Sequence, residues 1–225
     1  MHWIVRVLIV GGFAVAAPGA EADSWPQFRG PNATGRADGD FPLPAAIGPD
    51  QNVIWKIPVP FGISSPIVQG DRVFLTGERG KKLYTLGIDR QTGKTIWEAE
   101  APYQGLEKIH KVGSYAQATP AADGRHVVAL FGSAGLFGYD RAGKQLWHLP
   151  IGPFKNDFGA GASPIVVGER IILNQDHDTN SFLMALETKS GKVLWKKDRS
   201  EFPRGYATPW TKGGEKQVAQ IKRAR

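Results

Sequence analysis

Short apolar runs alternate with clusters of turn residues along most of the chain, and this pattern predicts β-strands rather than helices. The stretch 163–195 shows it most clearly, with predicted strands over 163–167, 170–173, 182–186 and 192–196. β-branched and aromatic residues fill these runs, whereas Gly, Asp, Asn and Ser separate them, as is typical of an antiparallel meander.

The pattern occurs three times, over 65–97, 119–147 and 163–195. Each copy has Ser or Thr before Pro, then a glycine turn, an aliphatic strand and a final Gly-Lys-x-x-Trp. The tryptophans at 55, 97, 147 and 195 are spaced by 42, 50 and 48 residues. A period of about 40–50 residues with four strands per repeat indicates the blades of a β-propeller.

We therefore predict an all-β fold, a β-propeller of four-stranded blades that is present here as a partial ring. The predicted blades cover about 63–98, 117–148 and 162–197, with an orphan strand at 53–59 and an incomplete blade at 206–225. Propellers usually need about 4–8 blades, so missing blades or another chain are needed to close the ring. A truncated product of a longer propeller is the simplest explanation, and an open array or an assembly of several chains are the alternatives.

The N-terminus carries the pattern of a secretory signal peptide over residues 1–22. Arg6 supplies the positive charge, 7–17 the apolar core and 20–22 an Ala-x-Ala cleavage site. The apolar run is short for a bilayer span, although an uncleaved anchor is the alternative. We predict an exported protein, periplasmic or extracellular, with no transmembrane span after cleavage. The Pro- and Gly-rich segment 23–52 is expected to run over the propeller surface and to pack its aromatic residues on the side of the propeller.

Composition excludes several classes of site. The 225 residues include no cysteine, which removes disulfides, Cys-ligated zinc and iron–sulfur clusters. The net charge of +7 is spread over turns and gathers at the C-terminus. No basic helix or aromatic stacking platform accompanies that charge, so we predict no nucleic-acid partner.

The repeated endings at 89–97, 140–147 and 187–195 resemble the tryptophan-docking repeats of the pyrroloquinoline quinone (PQQ)-type β-propeller family. The segment 25–31 (WPQFRGP) is similar to the start of secreted PQQ-like repeat proteins of planctomycete-type bacteria, and 131–136 (FGSAGL) fits the same family. The resemblance implies that the aromatic rings dock between neighbouring blades next to turn glycines. The residues concerned are Trp55, Trp97, Trp147 and Trp195, with Gly93, Gly143 and Gly191.

Two functions follow from the resemblance. One is a non-catalytic binding or scaffold module with a protein or small-molecule ligand. The alternative is a quinoprotein oxidoreductase that uses PQQ and calcium to oxidise alcohols or sugars. The absence of cysteine and the small number of blades favour the scaffold, so we assign no catalytic residue and no firm cofactor.

The best candidate cluster for chemistry is the loop 174–180 (NQDHDTN) between the second and third strands of the third repeat. Carboxylate and amide oxygens suit calcium, which takes about 6–8 oxygen ligands. The predicted metal ligands are Asp176, Asp178 and Asn180. Asp and Asn are also common in hairpin turns, so turn chemistry is the other interpretation. Further candidates for ligand contact are His110, Asp157 and His177.

Overall fold

The computed structural model describes residues 24–37, 42–202, 204–211 and 218–219. The predicted signal peptide lies outside the described residues, as does most of the incomplete fourth blade. No helix in the described part of the chain is long and apolar enough to cross a membrane.

Within that part the chain forms three four-stranded antiparallel sheets in sequence order, which confirms the predicted all-β fold with four-stranded blades. The first blade consists of β1 (Ile67–Gln69), β2 (Arg72–Arg79), β3 (Lys82–Asp89) and β4 (Thr95–Ala101). The second consists of β5 (Ala121–Ala122), β6 (His126–Leu130), β7 (Leu136–Asp140) and β8 (Gln145–Leu149).

The third blade consists of β9 (Ile165–Val167), β10 (Arg170–Gln175), β11 (Phe182–Glu187) and β12 (Val193–Asp198). A two-stranded sheet of β13 (Trp210–Thr211) and β14 (Val218–Ala219) follows. Two short 3-10 turns lie at Pro31–Ala33 and Gly132–Ala134.

The blades form an open arc with their first strands on the inside. β5 approaches both β1 and β9, so the inner strands of neighbouring blades lie side by side. Two apolar cores fill the spaces between blades. The first joins Phe74 of β2 to Phe137 and Tyr139 of β7, and the second joins Leu130 of β6 to Leu173 of β10. Burial of these apolar faces against the next blade is the main force that holds the arc together.

Hydroxyl groups link the blades near the start of each inner strand. The Ser65 N–H donates to Thr119 Oγ1 at 3.1 Å, the Thr119 N–H to Ser163 Oγ at 3.0 Å, and the Ser163 N–H to Thr208 Oγ1 at 3.1 Å. These four residues are the Ser or Thr that precede proline in each repeat. The Ser/Thr-Pro motif therefore supplies a hydrogen bond from every repeat to the next.

Two segments differ from their sequence-based predictions. Residues 53–59 form no strand. None of the described strands pairs with this segment, and Val53 and Ile54 are exposed. The segment that begins at Ser24 does not pack on the side of the propeller. Its Trp25 forms an antiparallel bridge with Val68 of β1, on the inner side of the arc.

Candidate functional site

One end of the arc carries most of the irregular chain. The turns between the second and third strands of each blade lie there, together with two long links that join the blades, residues 102–120 and 150–164. We call this end the link face. The tight turns between the third and fourth strands lie at the opposite end, which we call the turn face. Functional groups in repeat folds usually lie on such irregular segments, because loops tolerate variation while the sheets hold them in place.

The loop predicted to bind a metal lies on the link face, and arginines bind both of its aspartates. Arg199 Nε and Nη2 lie 2.8 and 3.0 Å from the two carboxylate oxygens of Asp176. Arg204 binds Asp178 in the same two-pronged manner, with Nε 2.8 Å and Nη2 2.5 Å from its oxygens. The hydrogen bonds from Arg204 lower the pKa of Asp178 below its usual value. Paired planar groups of this kind are among the stronger charged contacts in proteins.

Asp157 joins the same network from the second link. Its Oδ2 lies 2.5 Å from Arg204 Nη1, so one guanidinium bridges Asp157 and Asp178. His110 is connected only through its backbone, since its N–H donates to the Asp157 carbonyl at 2.6 Å while its ring is exposed and lies near Phe158. Asn180 has a φ of 58°, which is typical of Asn in a turn.

His177 is the buried member of the loop. It is 4% exposed, its ring packs edge-on against Phe154, and its Nδ1 accepts a hydrogen bond from the Lys155 N–H at 3.3 Å. Burial lowers its pKa below the usual value of 6.5. His177 Nε2 has no hydrogen-bond partner in the described structure. The side chain is thus a buried, packed group.

Glu107 is a buried residue that the sequence did not single out. It lies in the first link, is 8% exposed, and its Oε2 accepts a hydrogen bond from the Ser133 N–H at 2.9 Å. Gly132 has a φ of 50°, which favours glycine, and a Cβ there would lie 2.0 Å from Glu107 Oε1. The FGSAGL motif is therefore the turn that receives Glu107 and anchors the first link. No local sequence signal marks this pair, because the partners are 25 or more residues apart.

Several cavities open on the link face of the described structure. One, of about 550 Å³, is lined mainly by aromatic and apolar residues, and we call it the aromatic groove. A second cavity of about 340 Å³ adjoins Glu107 and Ser133, and a third of about 500 Å³ lies beside His177 and Lys196. The aromatic groove comprises Phe61, Leu83, Tyr103, Leu106 and Tyr115, with Glu78, Gly80 and Lys81 at its edge.

Three of the four repeated tryptophans, Trp55, Trp97 and Trp147, lie on the turn of the blade that follows them, whereas Trp195 is 43% exposed. The indole N–H of Trp55 donates to the Arg90 carbonyl at 2.8 Å, that of Trp97 to the Arg141 carbonyl at 3.1 Å, and that of Trp147 to the Thr188 carbonyl at 2.9 Å. A Cβ on the turn glycine would lie 2.5–2.7 Å from the nearest ring atom. These contacts pair Trp55 with Gly93, Trp97 with Gly143 and Trp147 with Gly191.

The loop predicted to bind a metal offers few free ligands in the described structure. Nowhere in the described ranges do three or more His, Asp or Glu side chains converge on a point where a metal could bind. The carboxylates of the best candidate loop already bind Arg199 and Arg204. Hard calcium needs several free oxygen ligands, so these contacts favour a structural role for the loop.

The family model described as outer membrane protein assembly factor BamB matches residues 40–159, which is more than half of the chain. The chain belongs to this BamB/PQQ-like repeat family. The resemblance seen in the sequence is thereby confirmed, and the arc is an open β-propeller of PQQ-like repeats. No curated protein matches the sequence significantly.

Solved propeller structures match this PQQ-like repeat protein over part of its length. BamB from Moraxella catarrhalis has 16% identity and a TM-score of 0.43, and covers 64% of this chain and 38% of its own. A europium-containing methanol dehydrogenase has 13% identity and a TM-score of 0.46, and the match covers 64% of this chain and 27% of that structure. A quinohemoprotein alcohol dehydrogenase from Pseudomonas putida HK5 has 16% identity and a TM-score of 0.48, and the match covers 64% of this chain and 22% of that structure. The chain thus spans less than two fifths of each of these structures.

Proposed function

We propose that this PQQ-like repeat protein is a non-catalytic binding or scaffold module, and that its link face binds a protein partner. The observation that carries the proposal is the aromatic groove. Phe61 is 62% exposed there and lies beside two tyrosines whose rings are only partly buried. Exposed aromatic clusters with a polar edge are characteristic of protein-binding surfaces.

The structure of the groove supports a preformed surface. The Tyr115 hydroxyl donates to the Glu107 carbonyl at 2.6 Å, and the Tyr103 hydroxyl donates to the Lys81 carbonyl. Both rings are thus held in place before a partner arrives. A preorganised surface loses less side-chain entropy on binding, which favours affinity.

The family supports the same function. Its model is named after an outer membrane protein assembly factor, and assembly factors act by binding other proteins. The predicted signal peptide supports export to the periplasm or beyond. The arginine-bound carboxylates of the loop 174–180 give the quinoprotein alternative no free cluster of ligands in the described residues.

We also propose that additional blades complete the ring. The three described blades form an open arc, and the ring needs either a longer chain or other chains to close. Trp195 is 43% exposed and supports this proposal, because the tryptophans of the earlier repeats lie on the turn of a following blade.

A site-specific crosslinking experiment tests the partner. The photoreactive residue p-benzoylphenylalanine is placed at position 61 in the aromatic groove, and at position 189 on the turn face as the matched control. Both variants are expressed in full-length form in the native host. We expect one discrete protein adduct from position 61 and none from position 189. Equal adducts from both positions, or none from either, would contradict the proposal.

A dehydrogenase assay tests the proposal that the protein is non-catalytic. Purified full-length protein is supplied with PQQ and calcium, and reduction of an artificial electron acceptor is followed with alcohols and sugars. We expect no turnover above the same mixture without protein. Calcium-dependent turnover would overturn the scaffold function and establish the oxidoreductase.

A further inference from the structure

The segment Ser24–Pro31, which we call the strap, contacts all three described blades through successive residues. Trp25 pairs with β1 in both directions, since its N–H donates to the Val68 carbonyl at 2.7 Å and its carbonyl accepts from the Val68 N–H at 2.9 Å. Ser24 adds a side-chain hydrogen bond to Gln69 at 2.8 Å. The strap thus begins as a short extra strand on the first blade.

The next two residues reach the other blades. The Pro26 carbonyl accepts a hydrogen bond from the Ala122 N–H of β5 at 2.9 Å. Gln27 Oε1 accepts one from the Val166 N–H of β9 at 3.2 Å, across 139 residues of sequence. Gln27 is only 5% exposed, so this contact lies inside the molecule. Trp25, Pro26 and Gln27 therefore bind β1, β5 and β9 in turn.

The strap has the internal structure of a fixed element. The Gly30 N–H donates to the Gln27 carbonyl at 2.9 Å, and the Gly35 N–H donates to the Arg29 carbonyl at 2.8 Å. Gly30 has a φ of 69°, and a Cβ there would lie 2.5 Å from the Trp25 ring. The turn after Gln27 consequently folds back on the tryptophan, and glycine is required because both space and backbone conformation exclude other residues.

The inner strands β1, β5 and β9 need a segment that supplies hydrogen-bond partners to their backbone. They are edge strands, and their inward-facing N–H and C=O groups lack ladder partners unless another segment supplies them. A buried donor left unpaired costs about 1–3 kcal/mol. The strap supplies acceptors to Val68, Ala122 and Val166, one on each blade.

We propose that the inner edges of β1, β5 and β9 form one binding surface for an extended chain segment, and that its occupant is the protein's own strap. In this role the strap is an internal ligand that fixes the three blades relative to one another. Its function is separate from the partner binding proposed for the link face, because it lies at the inner strands and uses none of the residues of the aromatic groove.

A nicked protein tests whether the strap binds as a ligand. A protease recognition sequence replaces residues 38–41 in the full-length protein, which is folded first and then cut. We expect the N-terminal fragment to remain bound during size-exclusion chromatography and to be detected by mass in the protein peak. Complete release of the fragment on cutting would overturn the proposal.

Two variants of the strap sharpen the test. Gln27→Ala removes the acceptor for Val166 and should speed release of the fragment about tenfold, as expected when a partly buried donor loses its acceptor. Thr34→Ala is the matched control, because the Thr34 hydroxyl bonds to backbone groups of its own turn, donating to the Pro31 carbonyl at 3.0 Å and accepting from the Arg36 N–H at 3.3 Å. Equal release rates for the two variants would contradict the proposal.

A peptide experiment covers the case in which Gln27→Ala does not fold. The fragment is dissociated from nicked wild-type protein, and two synthetic peptides of residues 24–37 are added, one with the wild-type sequence and one with the Gln27→Ala change. We expect the wild-type peptide to rebind saturably and the altered peptide to bind at least about tenfold more weakly. Equal affinity of the two peptides, or no saturable binding, would overturn the proposal.

Discussion

Trp147 and Trp195 occupy the same position in successive repeats, yet their surroundings differ. Trp147 lies between the second and third blades, and its indole N–H bonds the Thr188 carbonyl. Trp195 is 43% exposed, and its indole has no hydrogen-bond partner among the described residues. The Gly-Lys-x-x-Trp motif is the same in both repeats, so the motif alone does not dock the ring.

The residue on the neighbouring strand explains part of the difference. Trp147 faces Gly138 across the β7–β8 pair, and a Cβ on Gly138 would lie 2.1 Å from the ring. Trp97 faces Gly87 in the same way, whereas Trp195 faces Ala185. The rings of Trp97 and Trp147 thus each have a glycine beside them as well as a turn from the next blade. In blade three an alanine stands in place of this glycine, and no described residue supplies a following turn.

The sheet and the loop 174–180 of the third blade are held by different forces. Towards blade two the sheet packs an apolar core around Leu173 and Met184. The loop 174–180, in contrast, is bound to the segment after β12 by the ion pairs of Arg199 and Arg204. Apolar burial gives the larger stabilisation, while charged contacts near the surface are weakened by solvent and salt.

The largest expected effect distinguishes the two tryptophans directly. Trp147→Ala should lower the free energy of unfolding by about 3–5 kcal/mol, because it removes buried ring area and leaves a cavity between blades. Trp195→Ala should cost about 1 kcal/mol or less, as for an exposed side chain. Denaturant unfolding of the chain measures both. Equal losses would mean that Trp195 is docked after all.

The next effect concerns the ion pairs of the loop. The side chains of Arg199 and Asp176 are 13% and 10% exposed, so Arg199→Gln leaves a largely buried carboxylate without its partner. We expect a loss of about 2–3 kcal/mol in urea unfolding. Arg79→Gln is the control, because the Arg79–Glu98 pair is more exposed and should contribute little. A loss at Arg199 no larger than at Arg79 would refute the structural role.

A smaller effect tests the glycine beside the docked ring. Gly138→Ala should destabilise the chain by about 1–2 kcal/mol, because the added methyl group displaces the Trp147 ring from the Thr188 carbonyl. The matched change in blade three is Ala185→Gly, which should cost about 1–2 kcal/mol through backbone entropy and the loss of a fully buried methyl group. The Trp fluorescence spectrum, measured with each unfolding curve, should shift for Gly138→Ala. Unchanged stability and spectrum would contradict the account.

The smallest effect is a pH dependence from His177. Burial lowers its pKa below 6.5, so the unfolded chain binds a proton at a higher pH than the folded protein does. Stability should therefore rise with pH between the lowered pKa and about 6.5, with a slope of at most about 1.4 kcal/mol per pH unit. Asp176 and Asp178 oppose the shift and Lys196 adds to it. His177→Gln should flatten the dependence of stability on pH in this range. An unchanged slope would mean that other groups cause the dependence.

Much of the blade structure follows from local patterns in the sequence. The alternation of apolar runs and turn residues predicts β9 to β12 to within two residues at each end. The Ser/Thr-Pro and Gly-Lys-x-x-Trp motifs mark the residues that join one blade to the next, whereas the glycines that face Trp97 and Trp147 across the sheet belong to neither motif. These features are readable because strands, turns and repeat periods depend on residues close together in the chain.

The candidate site could be predicted only in part. Asp157, Asp176, Asp178 and His177 do lie on the link face, yet the partners of the three aspartates are arginines that carry no local signal. Arg204 is 26 residues from Asp178 and 47 from Asp157. Whether a carboxylate is free or paired depends on such distant contacts, which the local pattern of the loop does not encode.

The sequence by itself determined the repeat, the four strands of each blade and the family, because each is encoded in short-range patterns that recur. Only the tertiary structure showed that Glu107 fits against Gly132, and that the strap binds the inner strands of three blades. Gln27 and Val166 are 139 residues apart, and their contact depends on how the blades pack into an arc. Contacts of this kind arise from packing geometry, which no local pattern of apolar and polar residues encodes.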